Sequence, residues 1–318
     1  MDCRLFLYIP LLLDKHGTSS LQRGLLSLTP YPSASSTASR RLPLSISRLL
    51  LSEASPLLRP YYPPQMNYTT TPALVLHRTR YSDRYSIVHL YSRALGHVAA
   101  LVPEASNRRN LIREQLRPLS EVEVTLSQSP RRDLVRIQEV RSLQPRHAVY
   151  LDPAKGAQAI FLSEFLYRIL TAPLPDEHLY DHLASSLTFW EGLRRGGANY
   201  HLCLLISLLP VLGISPEISE RPEGAGWCFS LSEQGYVLDR HAHCLSPEET
   251  LHLPQLLRMT YANMHHFAYS RQQRGVILDY LLDYYRLHLA SFPQLKCLPI
   301  LRQLGEAELE GKHLPSQP

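Results

Sequence analysis

Residues 73–102 read ALVLHRTRYSDRYSIVHLYSRALGHVAALV, and this stretch decides the fold of the first ordered part of the chain. Ala73–His77 is a short β-prone run. Ser82 and Asp83 supply a turn. From there Tyr85, Ile87, His89 and Tyr91 alternate with Ser86, Val88 and Leu90. A period of two marks a strand with two different faces. Gly96 turns the chain into a third run, His97–Val102. Two more runs, Val122–Leu126 and Leu134–Ile137, are separated by a Ser-Gln-Ser-Pro turn signal. Five short strands within residues 66–146 predict a small closed or nearly closed barrel, for which the OB-fold is the common solution.

The same block is basic, and arginine carries the charge. Residues 66–146 hold 13 Arg, no Lys and 7 Asp/Glu, whereas 147–318 hold 13 basic and 18 acidic residues. The whole-chain charge of +5 hides this split. A basic β module joined to a mildly acidic one is the layout of a protein that grips a polyanion with one half. Arg78, Arg80 and Arg84 are read in the first connection and Arg93 at the end of the second strand. Arg108, Arg109, Arg113 and Arg117 fall between strands three and four, and Arg131 and Arg132 in the next turn. Tyr81, Tyr85 and Tyr91 are interleaved with them. Arginines on phosphates give sequence-independent affinity, and aromatic rings offer stacking platforms for unpaired bases. With 29 Arg and 4 Lys, arginine is also this chain's general cation. That accounts for the choice of Arg over Lys, not for the local excess of charge.

Residues 147–318 carry a helical period. Asp152-Pro-Ala-Lys155 opens a run in which Ile160, Phe161, Phe165, Leu166, Ile169 and Leu170 share a face, and Pro173 and Pro175 close it. Asp176 is an N-cap for the next helix, through Leu179, Leu183, Leu187 and Trp190. Residues 198–212 are apolar on nearly all sides, as in a helix central to a bundle. Residues 214–246 read as irregular, Pro247 starts another helix, and Gln272–Leu289 reads as a long final one. The architecture predicted is α+β: an OB-fold barrel over 66–146, then an α-helical domain over 147–318.

Residues 1–65 fit neither block. Leu5–Leu13 could pass for a signal-peptide core, but Asp2 precedes it and Asp14-Lys15-His16 stands where a small-residue cleavage site belongs. Residues 14–65 carry eleven Ser and no sustained period, a composition that predicts disorder. Met66 directly before the first strand is read as the natural start. Five scattered cysteines indicate reduced, intracellular usage rather than a disulfide framework. No apolar run reaches the roughly 18 residues that span a bilayer.

The remaining constellations read as structural. Cys228, His241, His243 and Cys244 have zinc-ligand chemistry without paired Cys-x-x-Cys knuckles, so no metal is expected. Glu164 and Arg168 are spaced as a helix-surface pair. His265-His266 beside Tyr261 and Tyr269 reads as packing. No nucleophile elbow, P-loop or HExxH motif is present, so neither an enzymatic activity nor a cofactor is expected.

From about 73 to 301 the chain resembles RecO, a bacterial family of recombination mediators. The resemblance rests on residues 74–83 (LVLHRTRYSD), on Ile87-Val88, Tyr91-Ser92 and Gly96-His97, and on 113–119 (REQLRPL). It continues through Asp152-Pro-x-Lys155 with Phe161-Leu-x-Glu164, Ala198–His201, and 261–264, 270–271 and 284–288. It implies a DNA-binding OB-fold and a helical domain in a cytoplasmic, nucleoid-associated protein. It also implies annealing of complementary strands and, with RecR, help for RecA in displacing single-strand-binding protein (SSB). A four-cysteine zinc site found in many members would fall near 220–245, where only Cys228 and Cys244 remain. The acidic tail of SSB is expected on the helical domain, at Arg271 and Arg274 beside Phe267, Tyr269 and Ile277. An RNA-binding OB-fold protein is the alternative that residue types alone leave open, since only the 2′-OH separates the two ligands.

Overall fold

The computed structural model describes residues 67–103, 114–128, 135–216, 222–224 and 226–312, with side chains up to 304. The predicted extension over 1–65 lies outside them. Five strands build the first part: β1 (Asn67–Arg80), β2 (Tyr85–Ser92), β3 (Gly96–Pro103), β4 (Glu121–Gln128) and β5 (Val135–Gln144). They close into a barrel in the order β1-β2-β3-β5-β4, and β4 returns to β1. The seam is short: β3 meets β5 in parallel only at Ala100–Val135 and Leu101–Arg136. This is the OB-fold expected from the strand pattern.

β1 is longer than its apolar run suggests because it serves two neighbours. Asn67–Leu74 pair with β4, and Ala73–Arg80 pair with β2. A bulge between Val75 and His77 bends the strand between those duties. Arg78 and Arg80 therefore lie in β1, not in the connection after it. Inward residues such as Val75, Val88, Leu90, Val98, Val122 and Val124 fill the barrel, and Leu116 joins them from the segment before β4. Leu74 and Leu76 point the other way and enter the core of the helices, with Phe161, Phe165 and Leu166.

The helical part comprises α1 (His147–Leu151), α2 (Pro153–Ile169), α3 (Glu177–Gly192), α4 (Tyr200–Val211), α5 (Pro247–Leu256), α6 (Arg271–His288) and α7 (Cys297–Lys312). Its caps follow the sequence. Asp152 accepts from Ala154 N and Lys155 N, Asp176 accepts from Leu179 N at 2.9 Å, and Ser246 and Ser270 form capping boxes with Glu249 and Gln273. α4 is central: Leu202, Cys203, Leu204, Leu205 and Leu208 are buried around its circumference, and Tyr200 stacks on Trp190 with centroids 4.7 Å apart. Among the described residues no helix is long and apolar enough to cross a membrane.

Two expectations are corrected here. The irregular stretch 214–246 contains a small hairpin, β6 (Cys228–Ser230) and β7 (Gly235–Val237), too short for its alternation to register. The long helix begins at Arg271 and is not the last, because α7 follows.

Two side chains act as distant caps. Lys155 Nζ donates to the carbonyls of Trp190 (2.9 Å), Glu191 (3.2 Å) and Leu193 (2.6 Å), at the C-terminal end of α3. Glu164 accepts from Lys296 N (2.9 Å) and Cys297 N (2.7 Å) at the start of α7. Burial alone would raise its carboxyl. The hydrogen bonds from Cys297 and Lys296, with Arg168 nearby, outweigh that and hold it below the usual carboxylate range. Glu164 is thus more than the helix-surface partner of Arg168, which lies 3.7 Å away.

Candidate nucleic-acid interface

OB-folds use the outer face of strands two and three together with the β1–β2 and β4–β5 loops. Here that face has two halves. In one, His77, His89 and His97 line up on three adjacent strands beneath Tyr167 of α2. His89 Nδ1 and His97 Nε2 are 3.3 Å apart, and Tyr167 lies 4.9 Å from the His77 ring and 4.6 Å from the His89 ring. In the other, toward the 81–84 turn, Tyr85, Ile87, Ala99 and Leu101 are half-buried.

The rim of this second half is basic and aromatic. Tyr81 is 62% exposed. Arg84 is exposed in the turn, and Arg80 pairs with Asp83 at 2.7 Å while staying largely in solvent. Arg78 and Arg80 sit opposite Val88 and Ser86 at the end of β1, the first half-buried and the second exposed. Arg136, which the sequence reading passed over, is brought beside Leu101 by the β3–β5 seam. No signal in its own neighbourhood announces this, because the seam joins residues far apart in the chain. Arg117 is exposed and lies over the Tyr150 ring, 5.3 Å from its centroid.

Arg93 stands apart. It follows β2 and its guanidinium clamps α3: Nε and Nη2 each lie 3.1 Å from Asp181 oxygens, and Nη2 lies 2.7 Å from Glu177. The hydrogen bond with Asp181 holds the guanidinium pKa up and the Asp181 carboxyl down. Arg108, Arg109, Arg113, Arg131 and Arg132 lie outside the described residues.

In the helical part, Arg271 and Arg274 open α6, where the helix dipole disfavours cations. Arg274 donates to Tyr269 O, and Phe267 and Tyr269 rings lie 5.7 Å apart beside it. Burial, then Arg271, lowers the Arg274 pKa. Asp279, further along the helix, pairs with Arg302 of α7. A cavity of about 560 Å³ beside α4 is lined by Ile206, Leu209, Pro210, Met259 and the exposed Arg258. Among the described residues no group of three or more His, Cys, Asp or Glu could hold a metal ion. His265 and His266 pack on each other at 3.9 Å between centroids.

The histidine row has a pH consequence. Burial lowers all three imidazole pKa values, and His89, which also faces His97, His77 and Arg168, is pushed down to about 4. Glu164 opposes this only at His77. Between about 4 and 6.5 the unfolded chain binds the proton that folded His89 refuses. Stability should therefore fall as pH drops through that window and level off above it. At about 1.4 kcal/mol per pH unit the full effect would be about 3 kcal/mol, and solvent around a half-buried ring reduces it to about 1–2 kcal/mol. Urea midpoints measured from pH 7 to 4.5 should show this slope in the wild type and a shallower one in His89→Gln. An unchanged slope in the variant would remove the histidine row as its source.

Comparison with known proteins matches both parts. Residues 66–146 match the family model described as Recombination protein O N terminal, and 150–296 the one described as Recombination protein O C terminal. The chain is 38% identical over 237 residues to the DNA repair protein RecO of Porphyromonas gingivalis, covering 73% of this chain and 97% of that protein. Identity to the DNA repair protein RecO of Phocaeicola vulgatus is 35% over 237 residues, covering 74% and 98%. For that of Bacteroides fragilis it is 33% over 238 residues, again 74% and 98%.

Proposed function

Because this chain belongs to the RecO family, we propose that it serves recombinational DNA repair by binding single- and double-stranded DNA and annealing complementary strands, without catalytic turnover. The observation that carries this reading is the exposed Tyr81 among Arg78, Arg80 and Arg84 at the edge of the half-buried strand face, with Arg136 across the seam. Phosphates meet the arginines, and bases stack on the tyrosine. Exposed Arg117 is counted with these arginines, and Arg108, Arg109 and Arg113 are counted on their charge in the sequence alone. Arg93 contributes to it only at the expense of its clamp on α3. RecR, and RecA loading on SSB-coated strands, are the partner and outcome that family membership supports.

Five neutralised phosphates would give a slope of log K against log salt of about −3.5 on single strands. Reversing Arg78, Arg80 and Arg84 together to Glu should make that slope shallower by about 2. It should also slow annealing of complementary oligonucleotides in proportion to the lost affinity. A slope near zero in the wild type would remove the electrostatic account. Equal or tighter binding of an RNA of the same sequence at matched salt would favour the RNA-binding alternative.

The tail of SSB, an apolar residue beside a terminal carboxylate, is assigned to Arg271 and Arg274 with Phe267, Tyr269 and Ile277. Two cations at a helix N-terminus are locally unfavourable, which supports a ligand role. Charge reversal at both should abolish binding of a tail peptide and annealing of coated strands while bare-strand annealing survives. Equal loss on bare strands would overturn the assignment. Arg258→Glu, beside the 560 Å³ cavity, is the comparison variant: loss of peptide binding there alone would move the site.

A further inference from the structure

Arg146, two residues past the end of β5, is 1% exposed. Its Nε donates to Leu119 O at 2.7 Å, which ties it to the segment before β4. Its terminal nitrogens Nη1 and Nη2 are buried and have no hydrogen-bond partner. A guanidinium carries five donors and stays charged, so an unmet buried fork is costly. Of the two acids nearby, only Glu191 is fully turned to other donors. Glu121 Oε2 stands 3.8 Å from Nη2, an ion pair too long for a hydrogen bond, while its Oε1 accepts from the Tyr180 hydroxyl at 3.0 Å. Glu191 accepts from Ala148 N (2.8 Å) and Val149 N (3.2 Å).

Arg146 also lines a cavity of about 310 Å³, with Arg117, Ser120, Ser142, Tyr150 and one acid, Glu114. We propose that this cavity binds a phosphate group, with the Arg146 fork taking two of its oxygens and Arg117 balancing its second charge. The planar fork matches such an anion bidentately, and the two serine hydroxyls supply further donors. The unbonded Arg146 fork, Arg117 and the two hydroxyls offer more donors than the acids Glu114 and Glu121 take up, which favours a tetrahedral anion with several acceptor oxygens over a carboxylate. Nη1 and Nη2 are both covered, so the phosphate reaches them as side chains lining the cavity move aside. The site lies where the chain passes from barrel to helices. Its phosphate is either a nucleic-acid backbone group, which rests on the function proposed above, or a free phosphate.

The test titrates the full chain with inorganic phosphate against chloride at constant ionic strength, following Tm and the phosphate ³¹P line. A saturable response is expected. Arg117→Gln, at an exposed position, and Arg146→Lys, which keeps the charge but loses the fork, should each weaken it by roughly tenfold or more, the equivalent of one charge-assisted hydrogen bond. A thymidine 12-mer then distinguishes the sources. If saturating phosphate weakens 12-mer binding by the wild type but not by Arg117→Gln, beyond the chloride control, the site takes backbone phosphate. Phosphate binding without such competition assigns it to a free phosphate. No saturable response, or one that both variants leave unchanged, overturns the site. In that case normal 12-mer binding by the wild type would leave the broader function standing.

Discussion

Gly96→Ala is expected to be among the most damaging single changes in this protein. Gly96 opens β3 with φ +68°, in the left-handed region that favours glycine. A Cβ placed there would lie 2.2 Å from Leu174 O, 2.6 Å from its carbonyl carbon and 2.8 Å from its nitrogen. The obstacle is backbone, so no rotamer change relieves it. The same contact carries a hydrogen bond from His97 N to Ala172 O at 3.0 Å. Left-handed strain of about 1–2 kcal/mol and overpacking of about 1–3 kcal/mol together predict a loss of roughly 2–5 kcal/mol. That is a large part of the total stability of an ordinary domain. Urea unfolding of wild type and variant would measure it. A difference within about 0.5 kcal/mol, the range of an unremarkable surface change, would show that the turn does not dock on 172–174 as described.

Lys155→Met should cost about 3 kcal/mol or more. The substitution keeps much of the apolar stem and removes the three donors that satisfy Trp190 O, Glu191 O and Leu193 O. Those carbonyls close α3, where a cation also complements the helix dipole. Each buried acceptor left unmet costs about 1–3 kcal/mol, partly relieved by water. Lys155→Arg should not restore the loss, because a planar fork cannot converge on three carbonyls as an ammonium does. Denaturant midpoints of the two variants test both statements. A Met variant within about 1 kcal/mol of wild type would mean that water replaces the ammonium without penalty. Lys155 stands in the Asp152-Pro-x-Lys155 segment that carries the RecO resemblance, and these bonds are a structural reason for lysine there.

How far the sequence reaches is visible at individual residues. The alternation from Tyr85 to Leu90 foretold β2 and its faces because a strand's period acts over neighbouring residues. Asp176 was readable as a cap, and Asp152 as the opening of its helix, because each bonds amides two or three positions away. The all-round apolar character of 198–212 identified the helix found at Tyr200–Val211, α4, as central. By contrast, nothing local marked the tail of β5, most of which is half-buried or exposed, or the β6–β7 hairpin, only three residues per strand.

The candidate site divides the same way. Its chemistry, arginines interleaved with tyrosines in a block that lacks lysine, was determined by the sequence alone, since charge and aromaticity belong to residue types. Which arginines stand together was decided only in three dimensions. Packing of α3 against the barrel turned Arg93 toward Asp181, Tyr167 covered the histidine half of the strand face, and the β3–β5 seam brought Arg136 to its edge. Lys155, Glu164 and Arg146 likewise took partners 27 to 133 positions away. Periodicity and capping are settled by steric and hydrogen-bonding rules that operate within a turn or two. The partners of long polar side chains depend on which surfaces come together when the whole chain buries its apolar faces.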